Sequence, residues 1–129
     1  MNKLDSKSVI GISALLVHAA KIDEIYSDHE KDLIKNFIKS YLENDDENVV
    51  LKKAEEIENN SNQLLNYTNI IKGNSIEIKK DIIKHLWKVI ISDNTVDQYE
   101  SNLMRRVCGL IYFPDKECAE IKLKLMNSK

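Results

Sequence analysis

At 129 residues, the chain has the length of a single domain (1–129), large enough to bury a core. Three Gly, one Pro, 31% charged and 6% aromatic residues are the composition of helices packed through aliphatic side chains. The net charge of −2 excludes a general electrostatic pull toward nucleic acid, and no basic stripe with aromatic platforms is present.

In chain order, apolar residues recur at helical rather than alternating spacing, and no segment reads as a strand. Lys3 and Lys7 precede the run VIGISALLVHAA, which has the outline of a short signal peptide. The run pauses at Ser13 and His18 and flows straight into the acidic segment DEIYSDHE at 23–30, so it reads as a core helix over 6–22. Ile12, Leu15, Leu16 and Ala19 are its core residues. A second helix over 28–42 carries the stripe Leu33, Ile34, Phe37, Ile38 and Tyr41. ENDDEN at 43–48 reads as a loop and the acidic first turn of a third helix, with Val50, Ala54 and Ile57 on one side.

A fourth helix over 62–72 carries Leu64, Leu65, Ile70 and Ile71. Gly73 reads as its stop, and Asn74 or Ser75 as the start of the next. The fifth, 76–92, is the most apolar, and helices over 98–111 and 115–127 complete the chain. Nowhere is there the run of about 20 apolar residues that a membrane span needs. Cys108 and Cys118 have neither the partners of a disulfide framework nor those of a four-ligand zinc site. They read as reduced, small apolar residues of a cytoplasmic protein.

Offsetting the chain by 70 lays the first two helices on the fifth and sixth without a gap. Ile12/Ile82, Leu16/Leu86, Asp23/Asp93, Glu30/Glu100 and Leu33/Leu103 are identical pairs, and Ile34/Met104 and Phe37/Val107 continue the apolar register. The reading is an all-α bundle of about seven helices containing two pseudo-symmetric helical hairpins.

Each hairpin turn carries the same acidic pattern. Ser27 with Glu30 is an S-x-x-E capping box, and Asp97 with Glu100 is its D-x-x-E relative, each cap contributing about 1 kcal/mol. Asp23 and Asp93 are less easily explained, because each stands at a helix end where the dipole disfavours negative charge by about 0.3–1 kcal/mol. An Asx-type bond to turn amides, the next helix N-terminus or a bound cation would offset that cost. Asp23, Glu30, Asp93, Asp97 and Glu100 are therefore the candidate metal ligands, and oxygen donors of this kind suit Ca²⁺ or Mg²⁺. An EF-hand is excluded: the loop lacks the alternating ligands and central Gly.

The segments AAKIDEIYSDHEKDLI at 19–34 and LWKVIISDNTVDQYESNLMRRVCGLIYFPDKE at 86–117 resemble the TerB family, named for tellurite resistance. The chain looks like its short stand-alone branch. The resemblance implies an all-helical fold with two copies of a helix–A-D-G-turn–x-x-E-helix hairpin. It also implies a link to tellurite or general stress resistance, and an acidic surface for metal or partners. The family's Gly after Asp is Glu24 here in one copy and Asn94 in the other, and its Ala before Asp is Ile22 or Ser92. A related domain precedes a J-domain in a membrane-anchored co-chaperone. Here the one Pro-Asp, Pro114-Asp115, lacks the preceding His, which argues against a direct role on Hsp70.

The expected function is a non-enzymatic module presenting the acidic turns to a protein partner or divalent cation, as a monomer or homodimer. The alternatives are a carboxylate- or metal-dependent hydrolase and a co-chaperone-like accessory domain. No nucleophile–base signature, phosphate loop or CxxC accompanies the carboxylates, so no catalytic residue is assigned. His18 and His85 read as core-edge side chains, and His29, beside the acidic turn, is the histidine to test as a ligand.

Overall fold

The computed structural model describes residues 4–21, 26–43, 45–60, 64–91 and 98–127, with the backbone alone at 64, 65 and 98–100. The described residues form seven helices and no strand: α1 (Ser6–Ala20), α2 (Asp28–Tyr41), α3 (Glu47–Asn60), α4 (Leu64–Lys72), α5 (Ile76–Ile90), α6 (Gln98–Leu110) and α7 (Asp115–Asn127). The all-α expectation holds, and the helix bounds fall within two residues of those read from periodicity wherever both were given.

Helix starts follow the side chains that can satisfy orphan amides. Asp5 accepts from the Ser8 amide at 2.7 Å, Asp46 from the Asn48 amide at 2.9 Å, and Ser75 from the Ile78 amide at 3.3 Å. Ser75 rather than Asn74 is thus the cap of α5. Asn74 closes α4 instead. Its side-chain amide donates to the Ile70 carbonyl at 2.8 Å, while Gly73 has no positive φ. The helix stop read at Gly73 therefore works through its neighbour's amide and not through a left-handed glycine.

α6 ends differently. The Phe113 amide reaches the Cys108 carbonyl at 2.8 Å and the Tyr112 amide reaches the Gly109 carbonyl at 3.4 Å, the two bonds of a Schellman close. The left-handed residue this requires is Tyr112, at φ 59°. Glycine would hold that backbone without strain.

α1 lies at the centre, packed against α2, α3, α4 and α5. Ten of its fifteen residues are buried, as expected of a helix apolar nearly all round. α5 packs on α1, α2 and α7, and α6 lies against α4 and α7. The first helices of the two hairpins therefore touch each other. Among positions paired by the 70-residue offset, Ile12 and Ile82, Leu16 and Leu86, Ile34 and Met104, and Phe37 and Val107 are all buried, whereas Leu33 is half-buried and Leu103 buried.

One core expectation changes. α3 buries Val50, Leu51, Ala54 and Glu58, whereas Ile57 is 40% exposed. Ile57 faces a groove between α1, α3 and α4 instead of the core. Cys108 and Cys118 are both buried and unbridged. Among the described residues, no helix is long and apolar enough to cross a membrane.

Candidate functional site

Tyr26 to Glu30, the described part of the first acidic turn, sit where three helix ends meet. Ser6 on α1 donates to Asp45 ahead of α3 at 3.3 Å, while His18 and Lys21 at the far end of α1 reach Glu58 near the end of α3. α1 and α3 are therefore parallel, and their C-termini converge beside the N-terminus of α2. Two C-terminal half-charges against the one N-terminal half-charge of α2 leave this place negative before any side chain is counted.

The side chains add to this. Glu58 is buried, with Lys21 Nζ at 2.8 Å from one oxygen and His18 Nδ1 at 3.4 Å from the other. Lys21 also donates to the Asn59 side-chain oxygen at 3.0 Å. Both bases stand near helix C-termini, where a cation also offsets the dipole. One turn earlier on α3, Glu55 accepts from the Tyr26 hydroxyl at 2.7 Å.

Glu30 completes the group from α2. Its carboxylate accepts from the Ser27 amide at 2.8 Å and the Ser27 hydroxyl at 3.1 Å, and its own amide donates to Ser27 Oγ at 3.1 Å. This is the capping box read from S-x-x-E. Burial, the hydrogen bond to Glu55 and the charges of Glu55, Glu30 and Glu58 together push the Tyr26 phenol well above its ordinary value. Three carboxylates thus act on one hydroxyl. Lys31 and Lys21 stand 5.0 and 5.9 Å over its ring.

Of the residues singled out from sequence, Glu30 is at this end, buried and used as a cap. Asp23, Asp93 and Asp97 lie outside the described residues. Glu100 lies in the first turn of α6, which begins one residue after Asp97, and its side chain is likewise outside them. His29 is exposed. Among the described residues, no group of three or more His, Cys, Asp or Glu is placed to hold a metal ion. The carboxylates of Glu30, Glu55 and Glu58 are instead engaged by Ser27, Tyr26, Lys21 and His18.

Sequence reasoning missed Glu55, Glu58 and Tyr26. A signal existed for Glu58, which falls four residues after Ala54 and seven after Leu51 on the buried stripe. A carboxylate continuing an apolar stripe asks for a buried partner, which Lys21 supplies.

A family model described as Tellurite resistance protein TerB matches residues 10–123, most of the chain. The chain belongs to the TerB family. The match runs from within α1 to within α7 and includes both acidic turns, so the resemblance carried by 19–34 and 86–117 extends across the helices between them. Among curated proteins and among solved structures, no match was found.

Proposed function

We propose that this TerB-family chain is a non-enzymatic cytoplasmic interaction module serving stress or tellurite resistance. It presents its acidic inter-helix turns, the first of them at the electronegative end described above, to a protein partner or a divalent cation. The observation that carries this reading is the meeting of Glu30, Glu55 and Glu58 around Tyr26, where two helix C-termini also point. A carboxylate-dependent hydrolase is the weaker reading, because the sequence sets no nucleophile–base signature or phosphate loop beside these carboxylates. Asp23 and Asp93, the turn residues whose charges the capping boxes leave unexplained, are the natural contacts for what binds.

The test is calorimetric titration of Ca²⁺ and Mg²⁺ into wild type, Asp23→Asn and Asp93→Asn, with partner capture by wild type and Asp93→Ala alongside. Saturable binding that the substitutions weaken is expected in one of the two arms. For a cation, millimolar metal should also raise the wild-type melting temperature by linkage. Unchanged behaviour of every variant in both arms would reduce the turns to helix caps.

A further inference from the structure

A groove of about 630 Å³ lies on another face, between the N-terminal half of α1, α3 and α4. Its volume is within the roughly 300–1,000 Å³ of small-molecule sites. Ile10, Gly11, Tyr67 and Ile70 are among its lining residues, and Ile57 forms apolar wall that remains 40% exposed. Gly11 matters to this shape. A Cβ there would run into the end of the Ile70 side chain, so glycine leaves room for that side chain against α1.

The rim is charged. Lys7 and Lys53 stand on it with Glu56, and the charge of Asp5 acts on Lys7 from the start of α1. Among the described residues, no carboxylate lies within ion-pair distance of either lysine. An apolar trough with two lysines at its edge, neither of them in a close ion pair, complements an alkyl chain ending in a single carboxylate. A phosphate dianion would ask for more positive charge than the rim holds.

We propose that this groove binds one long-chain carboxylate, its chain along Ile10, Ile57 and Ile70 and its head between Lys7 and Lys53. The inference is independent of the acidic end. Binding is measured by calorimetry with octanoate, decanoate and dodecanoate, kept below their micelle concentrations, and with dodecanol as the uncharged probe. Affinity should rise about four-fold per added methylene, as burial of CH₂ groups requires. Lys53→Glu should weaken dodecanoate at least about five-fold and leave dodecanol unchanged, whereas Ile57→Gln should weaken both. All the substituted side chains are exposed, and thermal unfolding of each variant confirms the fold. Absence of saturable dodecanoate binding to wild type would overturn the proposal. So would equal dodecanoate affinity in wild type, Lys53→Glu and Ile57→Gln.

Discussion

His85 gives the sharpest test of the energetics. It lies on α5 with its side chain 13% exposed, edge-on to Phe37 at 5.1 Å and with Asp81 at 3.6 Å. Two effects oppose each other. Burial disfavours the imidazolium, as do the charges of Lys88 and Lys84, while Asp81 favours it. The Asp81 carboxylate also accepts from the Tyr41 hydroxyl at 2.6 Å, which spreads its charge away from the ring. Burial wins, and the pKa falls from 6.5 to about 4. The contact with Asp81 is thus not an ion pair at neutral pH.

The unfolded chain then binds a proton between these values that the folded chain refuses. Stability from this group is fully present above pH 6.5 and is lost as pH falls toward 4. The gap corresponds to about 3 kcal/mol. Urea unfolding of wild type and His85→Gln from pH 4 to 8 measures it, because other groups titrate in both proteins and cancel in the difference. That difference should be flat above pH 7 and should shift by about 3 kcal/mol against wild type by pH 4. Parallel curves would refute the reasoning and mean that Asp81 holds His85 near its ordinary value.

Three further outcomes are expected. Glu30→Ala removes one arm of the capping box and should cost about 1 kcal/mol in urea unfolding, whereas Glu30→Gln keeps the acceptor for the Ser27 amide and should cost less. Tyr112→Gly should raise stability by about 0.5–1 kcal/mol in thermal unfolding, because the left-handed cost at φ 59° exceeds the backbone entropy glycine adds. Loss of the Lys72 contact over its ring, at 5.0 Å, sets the lower figure. Leu16→Ala and Leu86→Ala, at paired and fully buried positions, should each cost about 2–5 kcal/mol, while Leu123→Ala, 57% exposed, should stay within about 0.5 kcal/mol.

Local features were legible in the sequence because local chemistry decides them. Capping side chains and apolar spacing placed the seven helices. S-x-x-E stated its own hydrogen bonds before Ser27 and Glu30 were seen to make them. The 70-residue register picked out four pairs of buried apolar positions, as a helical stripe would, but set half-buried Leu33 against buried Leu103. What lies beside the acidic turn was not legible. The sequence compared one turn with the other and did not show that Glu55 and Glu58, some 25 residues along, act with Glu30 on Tyr26, brought there by the parallel packing of α1 and α3. Periodicity fixes which face of a helix is apolar and says nothing of which helix covers it. The fate of Ile57 was undecided for the same reason. It stands one step off the α3 stripe, and only the placement of α1 and α4 left it at a groove instead of in the core.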